Sequence, residues 1–230
     1  MKTERVGAFS SSSAWRLMAN NRKGDGFGSS GISYIEEKKY ERKLGRAISI
    51  EKNPRSSSWG KFIEKRVFSV LLDTSYIPTM EKRFAHPIIE GWNGSPDFLR
   101  HNEIGDIKSF ELLNFCRTHD AATSGYDNFK EECPEIFWQL TSNCCIHNVS
   151  TARLILYVPY LSELSAIREE AEIADHKFQW IKFASDDELP YLLPNKYYKN
   201  LSTFLFTIKK EDIDILTNRI ILAVSFLNKV

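Results

Sequence analysis

The chain reads as a mixed α/β fold of the α+β type, a central mixed sheet of short strands flanked by helices. Three observations predict it. The run from Ala152 to Val158 is apolar enough for a central buried strand. Short extended segments are punctuated by Gly91, Gly94, Pro96 and Gly105. Several longer stretches repeat apolar residues at helical spacing. With 230 residues, 42% hydrophobic and 27% charged, the chain can bury a full core without disulfides or structural metal, and one domain over residues 1–230 is expected.

Ser10 to Ser13 precede Ala14 to Ala19 and predict serine capping of a short helix, because a serine hydroxyl can satisfy the orphan amides of a first turn. Residues 22–31, with Gly24, Gly26, Gly28 and Gly31, read as a connector that lacks the Gly-Lys-Ser/Thr ending of a nucleotide-binding loop. A charged helix is expected from Ser33 to Leu44. Ser56 to Ser58 then cap a helix from Trp59 to Leu72, in which Phe62, Val67, Val70 and Leu71 approximate an apolar stripe. Arg83 to Ile89, Ser95 to Leu99 and Glu103 to Phe110 read as a meander of antiparallel strands. Pro134 suits the first turn of a helix reaching His147. Residues 161–200 are acidic, mostly helical and have the character of an insertion. Ser202 to Ile208 is a further strand, and Asp212 to Leu227 a closing helix with Ile213, Leu216, Ile220 and Val224 on one side.

Several function classes drop out. No apolar run of about 18 residues is present and the amino terminus lacks a secretory signal, so no membrane partner is expected and the location should be cytoplasmic. Cys116, Cys133, Cys144 and Cys145 show no CxxC spacing and read as free thiols. The five histidines are scattered without ligand spacing and read as packing or surface residues. Trp15, Trp92 and Tyr34 could stack on unpaired bases, although single aromatics more often belong to the core. The formal charge of +1 hides an asymmetry: residues 1–66 hold 15 Lys/Arg against 7 Asp/Glu, and residues 67–230 hold 16 against 23. A basic first third can supply a phosphate-binding surface, or simply solvated helix faces.

The residues that carry chemistry begin with Pro96-Asp97, then eight residues, then Asp106-Ile107-Lys108. Side chains alternate along a strand, so Asp106 and Lys108 emerge on one face, and a hairpin-like return brings Asp97 beside them. Two converging carboxylates repel unless a divalent cation sits between them, and hard oxygen donors favour magnesium or manganese. A neighbouring ammonium can then orient the attacking water or stabilise charge on a phosphate. Glu64 lies on the apolar side of the Trp59 helix, where an unpaired carboxylate is costly unless it meets a cation. Taken alone, the pattern also fits a turn aspartate followed by two solvent-facing strand residues.

Six motifs in order go further. Arg5-Val6-Gly7 precedes Ser10 to Ser13, and Ser33-Tyr34 opens the second helix. Trp59-Gly60-Lys61-Phe62-Ile63-Glu64, Gly94-Ser95-Pro96-Asp97, Gly105-Asp106-Ile107-Lys108 and Phe137-Trp138-Gln139 follow. Together they resemble the phage lambda exonuclease and YqaJ-type viral recombinase family, within the PD-(D/E)xK nucleases. The resemblance implies a restriction-endonuclease-like core that degrades one strand of double-stranded DNA from its 5′ end. It places Mg2+ or Mn2+ on Asp97 and Asp106, with Glu64 in metal or water positioning. Lys108 becomes the catalytic lysine and Gln139 its support from the following helix. A 5′-phosphate pocket maps to Arg5, Ser12 and Ser95, where an arginine fork and hydroxyl donors can read a terminal phosphate. The resemblance also implies a single-strand annealing protein as partner and leaves room for a homo-oligomer.

The chain departs from the family pattern in places. Asp106 stands where glutamate is usual, and Ser109 to Asn114 lack the pocket's further arginine. The chain begins almost at Arg5, without the longer leader, and residues 161–200 form a larger insertion. Two other readings share the scaffold: an endonuclease or repair nuclease with no need for an end, and a catalytically inactive DNA-binding protein.

Overall fold

The computed structural model describes residues 6–24, 26–48 and 54–227, so Arg5 lies outside the described residues. Two short elements open it, β1 (Phe9–Ser10) and a 3-10 helix over Ser11–Leu17, followed by α1 (Ser29–Leu44) and α2 (Pro54–Arg66). The next stretch is extended: β2 (Ile77–Pro78), β3 (Phe84–Ala85), β4 (Trp92–Gly94), β5 (Phe98–Arg100) and β6 (Glu103–Lys108). Three helices follow, α3 (Leu112–Thr123), α4 (Tyr126–Glu132) and α5 (Pro134–His147), and then β7 (Thr151–Tyr157). The chain closes with α6 (Leu164–Glu172), α7 (Trp180–Phe183), β8 (Leu201–Thr207) and α8 (Lys210–Leu227).

Five strands form the main sheet in the order β2-β5-β6-β7-β8, and β1-β4-β3 form a smaller one. Of the expected antiparallel meander only the β5–β6 pairing holds: the strand expected at Arg83 to Ile89 is β3, which pairs with β4 in the smaller sheet, and β2 takes its place beside β5. On its other side β6 pairs with β7 in parallel, Asp106 opposite Leu154 and Lys108 opposite Leu156. A parallel pair needs a long crossover, and α3, α4 and α5 supply it. The strands around Arg83 to Ile89 and Ser95 to Leu99 are shorter than expected, and Trp92–Gly94 is a strand in its own right.

The apolar run of β7 is buried on both faces, as its composition required. Ala152, Leu154 and Leu156 pack with Phe137 and Leu140 of α5 and with Leu216 and Ile220 of α8. Ile155 and Tyr157 pack on the opposite side, with Ile63 of α2 and Leu164 and Ile167 of α6. The sheet is therefore the middle of three layers, and the β6 side chains emerge between α2 and α5.

Several boundaries depart from local reading for tertiary reasons. Ser10 to Ser13 do not cap a helix: Ser10 makes no capping bond, and the Ser11 hydroxyl instead pairs with that of Ser142 at 2.8 Å. Helix α1 starts at Ser29, four residues early. Helix α2 starts at Pro54, where the ring suits a first turn, so Ser56 to Ser58 sit inside it. At its far end α2 widens into a π-helical turn over Val67–Leu71, closed by the Leu72 amide on the Val67 carbonyl at 3.1 Å. Helices α3 and α4 have no counterpart in the sequence reading, since the inner face of α3 is Phe115, Thr118, Ala121 and Ala122, small and partly polar. Residues 161–188 are helical in short pieces. Residues 189–200 are not, and Leu192 bridges Tyr160.

One buried ion network ties these layers together. Arg66, 7% exposed at its side chain, pairs with Glu170 of α6 and lies 3.6 Å from Glu163. Glu163 also accepts from the Tyr157 hydroxyl, the Tyr160 amide and the Asn200 side chain, at 2.7, 2.7 and 3.0 Å. The four cysteines are free. Among the described residues no helix is long and apolar enough to cross a membrane.

Gly105 has to be glycine for a packing reason: a Cβ there would stand 1.9 Å from Cζ of the buried Phe98 ring. Gly105→Ala is expected to lower unfolding stability by about 1–3 kcal/mol in urea titration, through overpacking. Adding Phe98→Leu to the same chain should recover part of that loss. An unchanged midpoint for Gly105→Ala would contradict this packing account.

Candidate active site

Strand alternation puts Asp106 and Lys108 on one face of β6, toward α5. Asp97 arrives from the turn before β5. Its amide donates to the Gly105 carbonyl at 2.9 Å, extending the β5–β6 ladder by one bond. Its side chain goes one step further, Oδ2 accepting from the Ile107 amide at 2.6 Å. That amide lies between Asp106 and Lys108 in the chain, so a single hydrogen bond seats Asp97 beside both. The turn is held from behind by Thr79, whose amide donates to the Asp97 carbonyl at 3.0 Å and whose hydroxyl donates to the Pro96 carbonyl.

Asp106 is 0% exposed, with Oδ1 hydrogen-bonded and Oδ2 accepting no hydrogen bond and held only in an ion pair. Oδ1 accepts from Gln139 Nε2 of α5 at 2.9 Å, and Oδ2 forms an ion pair with the Lys108 ammonium. Glu64 reaches the group from α2. Trp59, one turn earlier on that helix, donates from Nε1 to the Ser109 hydroxyl at 3.1 Å and so ties α2 to the residue after Lys108.

The charges are strongly coupled. Burial, and then the Asp106 charge, pushes the Glu64 carboxyl up to about 7, against the pull of Lys108 and Lys61. Burial and Asp106 likewise hold Asp97 well above the usual carboxylate range, although Lys108 and the Ile107 amide favour its anion. Burial works against the Lys108 charge, but Asp106, Asp97 and Glu64 outweigh it and hold the ammonium above its ordinary value. Such mutual repulsion among oxygen donors fits a hard divalent cation as the missing counter-charge. In the arrangement seen, the Lys108 ammonium fills that role at Asp106, and no three His, Cys, Asp or Glu side chains among the described residues stand ready as a closed metal group.

The other expected residues separate. Ser12 lines a cleft of about 660 Å³ with Ser10, Ser13, Arg16, Lys38 and Arg83. Ser95 does not line it, and its hydroxyl donates to the Lys82 carbonyl at 2.7 Å. Arg5 falls outside the described residues. Arg16, Lys38 and Arg83 carried no local signal, since they lie apart in sequence and meet only in the fold. Part of the amino-terminal positive charge is neutralised inside this cleft: Arg16 pairs with Glu37 at 2.9 Å, and Lys38 with Glu37 and Glu41 at 3.1 and 3.0 Å.

Trp92 and Tyr34 are buried core residues, and His86 stacks on Trp92 with ring centroids 4.6 Å apart. His119 packs edge-on to Tyr198 and Phe204.

A mixed sheet between helical layers, with its acidic cluster at the ends of β5 and β6 and a supporting helix across the parallel crossover, is the restriction-endonuclease-like arrangement. Solved structures of that shape include an alkaline exonuclease from Laribacter hongkongensis, LHK-Exo. It superposes with a TM-score of 0.65 at 16% identity, over 99% of this chain and 91% of that one. The same enzyme in complex with dAMP gives 0.65 at 15%, over the same shares. A phage-related exonuclease from Haemophilus somnus 129PT gives 0.59 at 14%, over 96% and 94%. The fold is thus the one that the motif order implied. No family model matches the chain, and no curated protein matches it in sequence.

The raised Glu64 pKa has a signed consequence for stability. The folded state holds this proton more tightly than the unfolded one, so its contribution is full below the ordinary value of 4.5 and is lost as pH rises to about 7. In EDTA, the melting temperature of the wild type is expected to fall across that window. Glu64→Gln should melt higher than wild type at pH 8, with a shallower pH slope, the remainder coming from Asp97. Superimposable pH profiles for the two proteins would contradict the assignment.

Proposed function

We propose that the protein is a nuclease that hydrolyses DNA phosphodiester bonds, specifically a divalent-metal-dependent exodeoxyribonuclease working 5′ to 3′ from duplex ends. The observation that carries this reading is the Asp97 to Ile107 hydrogen bond, which assembles two carboxylates and an ammonium within one strand end. The full-length likeness in fold to exonucleases supports it.

Asp97 and Asp106 would hold Mg2+ or Mn2+, with Glu64 as the third acid. Such an ion, when bound, lowers the pKa of a water and polarises a phosphoryl oxygen. The side chains supply the rest. Gln139 fixes the plane of the Asp106 carboxylate. Lys108, its proton held firmly by three acids, offers a positive charge to the phosphate and the attacking water. Glu64 enters none of the hydrogen bonds seen among the described residues, which leaves its carboxyl available to position water. A 5′-phosphate would be read in the cleft of Ser12, Arg16 and Arg83, together with Arg5; Ser95 would have to release the Lys82 carbonyl to join. The strand left behind would pass to a single-strand annealing protein in phage-type recombination, in the cytoplasm.

End-labelled linear duplex and closed circular duplex, each incubated in magnesium, test the reading. Cleavage of the linear form with the circle intact is expected, and degradation of the circle would favour an endonuclease instead. Lys108→Ala is expected to slow hydrolysis at least ~100-fold while DNA binding persists. A wild type inert in both magnesium and manganese, yet still binding DNA, would mark an inactive scaffold.

A further inference from the structure

A hollow of about 450 Å³ adjoins the acidic cluster, and Glu64 lines it. Apolar groups make up much of its wall: Phe68, Pro78, Met80 and Phe178. Lys61, Lys65 and Lys177 stand among them. Met80 is the anomaly. It is an unbranched apolar side chain left 82% exposed beside a charged centre, on a backbone in the left-handed region with φ of 54°. Glu81 follows at φ of 58°. Two consecutive non-glycine residues in that region store strain, which persists only where the surroundings enforce it.

Here the surroundings do so, and they belong to the site. Thr79 ties the loop to the Asp97 turn, the Lys82 amide returns to the Thr79 carbonyl at 2.9 Å, and the Lys82 carbonyl accepts from Ser95. Glu81 reaches across to Lys61 of α2 at 3.3 Å. The loop is thus clamped to both elements that carry the acids, with Met80 projecting over the hollow.

Resting on the nuclease reading, we propose that this hollow seats the nucleobase of the nucleotide being cleaved, with Met80 packed against it. A flexible thioether side chain follows the faces of different bases without selecting one. The hollow has the size of a small-molecule site, and Glu64, the acid of the cluster that would act nearest the adjoining phosphate, forms part of its wall. The lysines along it can face the charged backbone, because their own pairs with Glu81 and Asp175 are exposed and hold them weakly.

The test compares two linear duplexes that differ only at the 5′-terminal nucleotide, one normal and one abasic. Wild type is expected to favour the normal end in kcat/KM by roughly fivefold or more, and Met80→Ala and Met80→Gln to bring that ratio close to one. Both variants should melt near the wild-type temperature, since the replaced side chain is exposed. A wild type that cuts both ends equally, or variants that keep the full ratio, would overturn the base site while leaving the nuclease reading intact. If the wild type cuts neither duplex, both readings fall together.

Discussion

The Asp97 carboxylate on the Ile107 amide is the contact on which the rest of the site depends. It uses a backbone donor of β6 beyond the last β5 pairing, so the acid is placed by the same ladder that builds the sheet. No side-chain rotamer of a distant element has to be right for Asp97 and Asp106 to meet. The others are set from outside: Gln139 by the crossover helix, Glu64 by α2. One strand end therefore organises the site, and two helices complete it.

That division explains how much could be read beforehand. Asp106 and Lys108 are two residues apart on a strand, where the side-chain period alone predicts a shared face, and the structure shows that face. Asp97 and Glu64 needed the chain to return, which the glycines around the turn and the motif order foretold. The strand β7 was equally plain, because burial on both faces makes Leu154 to Tyr157 a continuous apolar run, with Arg153 at its start turned to Glu103. The parallel pairing of β6 with β7 was not visible, since partner choice across a long crossover leaves no local pattern. Helices α3 and α4 escaped because threonine and alanine on an inner face do not register as an apolar stripe. The serines near Ser11 misled for a related reason: a hydroxyl suited to capping was used instead on Ser142.

Electrostatics separates the acidic cluster from the basic cleft. At the cluster, three acids face one close ammonium, and Glu64 and Asp97 hold their protons too tightly, a state that a further positive charge would relieve. In the cleft, glutamates already answer Arg16 and Lys38, so its attraction for an anion is less than the sequence balance of the first third implies. The asymmetry of charge along the chain is real, but folding spends part of it on internal pairs.

The Arg66 network places a constraint on the region between β7 and β8. Glu163 and Glu170 carry no chemistry of their own, yet they grip the helix that aims Glu64, and Asn200 joins the same carboxylate just before the last strand. A segment that looks like surplus length acts as a strut against which the third acid is braced. Shortening it would be felt first at the geometry of the site, and only afterwards at the surface where the deletion was made.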